Sequence, residues 1–170
     1  MEVRVVTAHG LELDVASAAA ADEEEMFAAF AAVVEAGEGY PQAPPISRDE
    51  FREYWLDHKA LVAVARTADP ARTFVGSYYL KANFPGRAAH IVNAGYIVVP
   101  AFRGKGAGLA LVEHSMDEAR RLGFDAMQFN LVFESNPARP MYERLGFRVV
   151  GRIPAAVDGE DAIVYWRSLV

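Results

Sequence analysis

Asn93-Ala94-Gly95-Tyr96-Ile97-Val98-Val99-Pro100-Ala101-Phe102-Arg103-Gly104-Lys105-Gly106-Ala107-Gly108-Leu109-Ala110 is the stretch on which the fold turns. Its first half is rich in β-branched and aromatic residues, the composition of a strand, and Pro100 ends that run. Past the glycines, Leu109, Val112, Met116, Ala119 and Leu122 recur at three- and four-residue spacing, which predicts a helix. A strand, a glycine-rich loop and a helix in that order gather two things at one point: backbone N–H groups without intrahelical partners and the positive end of the helix dipole. Such a point stabilises an anion, a pyrophosphate for instance. Gly104, Gly106 and Gly108 lack a Cβ and can take positive φ, so the amides of this run, Ala107 among them, can lie against the anion. Arg103 and Lys105 add formal charge beside it.

Two better-known phosphate loops do not fit. A Walker loop needs Ser or Thr after Gly-Lys, and here Gly106 follows Lys105. A dinucleotide fingerprint needs a third glycine where Leu111 stands. The run read as R-x-x-G-x-G, with Arg103, Gly106 and Gly108, instead resembles the coenzyme A loop of the GNAT acetyltransferase superfamily. About thirty residues on, Asn136-Pro137-Ala138-Arg139-Pro140-Met141-Tyr142-Glu143-Arg144-Leu145-Gly146-Phe147 is similar to the family's N-x-x-A-x-x-L-Y-x-x-x-G-F element through Asn136, Tyr142 and Gly146-Phe147. It departs at Arg139, where a small residue is usual, and at Pro140, inside the helix start. The resemblance covers about residues 60–152 well and the N-terminal third by order of elements only.

The resemblance implies an α+β fold: a mixed, mostly antiparallel sheet of about six or seven strands, flanked by about four helices, with the fourth and fifth strands splayed apart. It implies that the Arg103–Gly108 amides hold the diphosphate of acetyl-CoA. The pantetheine arm would lie along Tyr96–Val99, paired with the backbone of Ile97, Val98 and Val99. Asn136 would bond a pantetheine amide, and Tyr142 would protonate the leaving thiolate. The activity implied is direct transfer of an acetyl group to an amine, with no covalent enzyme intermediate. Alternatives are a protein or peptide N-terminal acetyltransferase and a non-catalytic CoA-binding module. Around His90–Gly95 and Phe129–Phe133 the chain looks like the fungal proline-analogue acetyltransferases, which implies a small amino-acid-like acceptor. Members of the superfamily often pair, so a homodimer is compatible with this reading.

Each residue also has a plainer reading. Tyr142 can be a packed core tyrosine, and Asn136 before Pro137 can be a helix cap. Glu134 at a strand end and Glu38 in a proline-rich loop are the candidate general bases, although glutamates in such places are commonly solvated. Asn93 and Asn130 stand inside strands, where asparagine has poor propensity and a buried amide needs partners. They read either as ligands for a substrate carboxylate or carbonyl or as amides that satisfy a bulged backbone. Simple alternation puts Asn130 on one face with Gln128 and Val132, and Phe129 and Leu131 on the other. Tyr40, stiffened by its prolines, is a candidate substrate wall. His114, mid-helix among charged neighbours, reads as a surface residue.

Composition sets the bounds. A chain of 170 residues with 52% hydrophobic content suits one domain over residues 1–170. With no cysteine there is no disulfide, thiolate metal site or cysteine nucleophile, and no metal is called for. Met1-Glu2-Val3-Arg4 does not open a signal peptide and no run is long enough to span a bilayer, so a cytoplasmic protein without membrane partners is expected. A formal charge of −6 argues against a nucleic-acid surface and favours, weakly, a cationic or amine substrate.

Elsewhere the pattern reads as short strands at Val3–Val6 and Leu11–Val15 around His9-Gly10, either a hairpin or one strand with a frayed start, and as a helix at Ala20–Ala36 that Gly37 stops. A second helix runs to about Asp57 from a Ser47/Glu50 capping box. Strands follow at Ala60–Arg66, Thr73–Ala82, Ala88–Val99 and Phe124–Phe133. A last helix at Pro137–Leu145 precedes closing strands at Phe147–Arg152 and Ala162–Arg167.

Overall fold

A computed structural model describes residues 2–170; Met1, the first residue of the Met1-Glu2-Val3-Arg4 run, lies outside the described residues. Among the described residues, one mostly antiparallel sheet of eight strands runs in the order β1-β2-β3-β4-β5-β6-β8-β7. The strands are β1 (Val3–Val6), β2 (Glu12–Ser17), β3 (Leu61–Thr67), β4 (Phe74–Ala82), β5 (Ile91–Val98), β6 (Ala126–Phe133), β7 (Arg148–Val157) and β8 (Glu160–Ser168). The count exceeds the six or seven that the resemblance implies and equals the number of strand segments in the sequence pattern once the first two are separate strands. β1 and β2 form a true hairpin, with Val3 opposite Val15, and β7 runs well past its expected end at Arg152. The strands expected as fourth and fifth are therefore β5 and β6.

Among the described residues, four α-helices cover the two faces: α1 (Glu23–Glu35), α2 (Arg48–Phe51, continued by a wide π turn over Arg52–Leu56), α3 (Ala107–Arg121) and α4 (Arg139–Arg144). α1 and α2 close one core, in which Phe30, Phe51 and Trp55 are fully buried. α3 and α4 close the other, around Leu111, Met127, Ile163 and Tyr165. Burial of a side chain such as Phe30 or Phe51 contributes about 1.5–3 kcal/mol. The capping box forms as expected: Glu50 N–H donates to Ser47 Oγ at 3.2 Å, and Ser47 N–H donates to the Glu50 carboxylate at 2.8 Å. The π turn was not legible in advance. Asp57 N–H reaches back to the Arg52 carbonyl, and the widened turn seats Trp55 so that its indole Nε1–H donates to buried Ser77 at 3.1 Å. Among the described residues, no helix is long and apolar enough to cross a membrane.

The sheet changes character at one place. β5 and β6 are parallel neighbours, and their pairing consists of Ile91 with Ala126 and Val92 with Met127. From Asn93 onward the two strands diverge. β6 is meanwhile bulged against β8: Phe129 faces Tyr165 and Val132 faces Ile163, three steps on one strand against two on the other. The extra residue corrects the alternation expected from sequence. Val132 returns to the core face with Phe129, and Asn130 is left exposed.

Candidate active site

Divergence of β5 and β6 opens a cavity of about 580 Å³, lined by both strands, by the N-terminus of α3 and by α4. Strand alternation decides which backbone groups face it. Val99 N–H bonds the Val75 carbonyl and Asn83 N–H bonds the Ile91 carbonyl, so the odd-numbered residues of β5 pair with β4. The main chain of Ala94, Tyr96 and Val98 therefore turns toward the cavity. Of the three residues expected to offer backbone to a cofactor, only Val98 turns its main chain to the cavity, while Ile97 and Val99 face β4. Ile97 reaches the cavity and the α1–α2 core by its side chain.

The glycine-rich loop ends the strand as expected. Gly104 and Gly106 adopt φ of +72° and +83°, whereas Gly108 already lies within α3, which starts at Ala107. The first i to i−4 bond of that helix is Ala110 N–H to the Gly106 carbonyl, which leaves the amides of Ala107, Gly108 and Leu109 without helical acceptors. A Cβ built on Gly104 meets nothing within 4 Å, so this side of the loop is open. Gly106 is glycine for a second reason that the sequence did not disclose. A Cβ at Gly106 would lie 2.9 Å from Thr7 Cβ, where the β1–β2 turn packs on the loop. Arg103 donates from Nε to the Val98 carbonyl at 3.1 Å and pairs with Glu38 at 2.9 Å. Lys105 lies on the Phe102 ring, 5.4 Å from its centroid.

Tyr142 lines the cavity from α4, its ring packed against Phe129 at 4.8 Å between centroids. Burial pushes its phenol up to about 12, and among the described residues no partner takes its hydroxyl hydrogen bond, unlike Tyr40 and Tyr96. Pro140 causes no break, because it falls in the first turn of α4, where no N–H is needed. Arg139 is used in packing: it donates to the Tyr165 hydroxyl at 3.0 Å and to the Glu134 carbonyl at 2.9 Å. Asn136 accepts the Ala138 N–H at 2.9 Å through Oδ1, as a cap does, and lines the cavity. Its Nδ2 remains available to a ligand.

The other expected site residues divide. Tyr40 lines the cavity and donates to the Tyr96 carbonyl at 2.8 Å; with Tyr54 and Tyr79 it forms an aromatic wall. Tyr79 was not singled out from sequence, yet its ring lies over Gly95, where a Cβ would come within 2.6 Å of it. Asn93 sits at the apex of the splay with both amide ends engaged. Its Nδ2 donates to the Gln128 carbonyl at 3.0 Å, in effect a third rung between β5 and β6, and its Oδ1 accepts from Tyr79 at 3.3 Å. Asn130, at the bulge, exchanges hydrogen bonds of 2.6 and 3.0 Å with Asn83. Glu38 lines the cavity but is paired with Arg103. Glu134 is not among the lining residues, and its carboxylate pairs with Arg152 at 2.7 Å, so a base acting inside the cavity is not supplied from that position. His114, expected at the surface, is half-buried, with Nδ1 2.8 Å from the Tyr78 hydroxyl.

An open-edged sheet whose splay meets the N-terminus of α3 is the architecture of an acetyltransferase, and the comparisons with known proteins show the class: an acetyl-CoA-dependent N-acetyltransferase. The chain belongs to the GNAT acetyltransferase family, whose model matches residues 22–147. It is 31% identical over 152 residues to the N-acetyltransferase aca1 of Schizosaccharomyces pombe, covering 78% of this chain and 73% of that one. Among solved structures it resembles a GCN5-related N-acetyltransferase from Kribbella flavida, with 34% identity, a TM-score of 0.85 and coverage of 92% and 97%. The fold also matches a phosphinothricin acetyltransferase from Sinorhizobium meliloti, solved with acetyl-CoA, at 23% identity and a TM-score of 0.80 over 92% of this chain and 88% of that one.

Proposed function

We propose that the protein transfers the acetyl group of acetyl-CoA to the amine of a small, amino-acid-like acceptor. The parting of β5 and β6 after Val92 and Met127, directly beside Tyr142 and the amides of α3, carries this reading. Acetyl-CoA would supply an acyl group activated as a thioester. The free amides of Ala107, Gly108 and Leu109 and the charges of Arg103 and Lys105 would hold its diphosphate. The main chain of Tyr96 and Val98 would pair with the pantetheine, joined by Asn136 Nδ2. A cavity-facing N–H of β5 would meet the negative charge that develops on the carbonyl oxygen, and Tyr142 would give its proton to the departing sulfur.

No carboxylate in the cavity is left free to act as base, since Glu38 is held by Arg103. The amine therefore attacks after losing its proton to water at the cavity mouth. Tyr40, Tyr54 and Tyr79 bound the acceptor end to the size of a small molecule. The experiment is thiol release from acetyl-CoA with a panel of amino acids, cyclic imino acids, aminoglycosides and peptides. Turnover of a small amino acid or imino acid is the expected result. Release only with peptides would instead make the protein an N-terminal acetyltransferase, and binding without release for any amine would leave a CoA-binding module.

A further inference from the structure

The two asparagines expected to receive an acceptor's carboxylate are both engaged: Asn93 by Gln128 and Tyr79, Asn130 by Asn83. An anion receptor has to come from elsewhere in the lining. Three charged side chains line the cavity, and two of them, Glu38 and Arg103, pair with each other at its phosphate end. The third is Lys81. It stands opposite Asn93 in the β4–β5 register and on the same face of β4 as Tyr79, with Nζ 6.0 Å from the Tyr79 ring centroid. It is half-buried, and no carboxylate of the described residues forms an ion pair with it.

Lys59 approaches the same ring to 5.2 Å while donating to the Asp57 carbonyl at 2.7 Å. Burial, and after it repulsion from Lys81, lowers the Lys59 ammonium to about 8. Two cations thus converge on one tyrosine at the acceptor end, and neither is in an ion pair within the protein.

We propose that Lys81 is the receptor for an anionic group on the acceptor, so that the acceptor is a small zwitterion carrying its amine and a carboxylate or similar oxyanion in one molecule. This rests on the acetyl-transfer reading of the cavity and names the acceptor class within it. The net charge of −6 points toward a cationic acceptor, but the lining itself is net positive by one charge. A field inside a partly desolvated cleft is set by its lining more than by distant surface charge, which salt screens. A polyamine or aminoglycoside would bring additional ammonium groups toward Lys81 and Lys59 with no free carboxylate to receive them. A carboxylate at Lys81 is instead anchored on β4, one strand away from the cavity-facing backbone of β5, with the amine left to reach the thioester.

The test compares kcat/KM for an amino acid, its carboxamide and its decarboxylated amine, in the wild type, Lys81→Gln and Lys81→Glu. Acetyl-CoA affinity is measured by calorimetry as the control for folding. The wild type is expected to prefer the free acid over the carboxamide by about tenfold or more, the size of a partly buried ion pair. Lys81→Gln is expected to remove that preference, mainly through KM, and Lys81→Glu to reverse it, both with wild-type acetyl-CoA affinity. An acid-to-amide ratio that survives Lys81→Gln, or a wild type that prefers the carboxamide, overturns the assignment of Lys81 while acetyl transfer stands. If acetyl-CoA binds and none of the three amines is acetylated, the small-acceptor reading falls and the Lys81 proposal falls with it.

Discussion

Tyr142 owes its proposed part in the reaction to packing. Its ring is enclosed by Phe129, Phe147 and Tyr165, and the burial that raises its phenol to about 12 keeps it protonated at any working pH. Tyr142→Phe preserves the packing and removes the proton, so kcat should fall by about 100-fold, the lower end of what general acids contribute, with acetyl-CoA affinity unchanged by calorimetry. For the same reason the pH profile of kcat, read at saturating acceptor, should rise as the acceptor amine deprotonates and show no descending limb in the range of about pH 7–10. A limb falling through pH 8–9 would take the acid role away from this residue. His114 carries a different pH dependence. Burial lowers its pKa, against the pull of Glu118 and Asp117, and Tyr78 bonds its Nδ1. The unfolded imidazole titrates near pH 6.5, so below that value the unfolded chain holds a proton that the folded chain resists. The contribution is whole above about pH 6.5 and is lost as pH falls toward the lower folded value. Urea midpoints at pH 5.5 and 7.5 should differ less in His114→Gln than in the wild type; equal differences would refute the linkage. The sequence could suggest which side chains matter here but not what engages them, because the partners come from other elements: Gln128 across the splay for Asn93, and Arg152 on β7 for Glu134.

Elements whose signals are local were legible in the chain. The apolar run of β5, the glycines after it and the three-and-four spacing of α3 lie in one continuous segment, Ile91 to Arg121, and their geometry follows from backbone sterics and helix-end electrostatics. The β6 bulge was not legible, because it exists only relative to β8, and the π turn of α2 answers to Ser77 on β4. The loop itself combines both kinds of cause. Gly104 and Gly106 both have positive φ, but Gly104 faces open space and Gly106 faces Thr7. Gly104→Ala should therefore cost only backbone strain, about 1 kcal/mol. Gly106→Ala adds a backbone-anchored clash, which raises the loss to about 2–4 kcal/mol and weakens acetyl-CoA binding by displacing the first turn of α3. Thermal or urea unfolding of the two variants decides it. Equal losses would mean that the β1–β2 turn does not constrain the loop.

At the scale of the molecule, the sheet is two blocks, β1 to β5 and β6 to β8, joined along the splay by two backbone pairs, by the Asn93 amide and by the Asn83–Asn130 pair. The α+β class and its splay were expected from the resemblance; the eighth strand exceeds its six or seven because Val3–Val6 and Glu12–Ser17 are two paired strands, and β7, expected to end at Arg152, continues through Pro154 to Val157 as an exposed sheet edge. A ligand laid in the splay touches both blocks and so stabilises the whole fold, not one loop of it. At a concentration 100 times its Kd, such a ligand contributes about 2.7 kcal/mol. For a domain of this size each kcal/mol raises the melting temperature by about 2–4 °C, so saturating acetyl-CoA should raise it by about 5–11 °C. Acetyl-pantetheine offers the same arm without a diphosphate for the amides of Ala107, Gly108 and Leu109, and at equal concentration its shift should be much smaller. Equal shifts would move the binding energy from the helix N-terminus to the strand, and no shift with either acetyl-CoA or free CoA would remove the splay as the acyl-donor site.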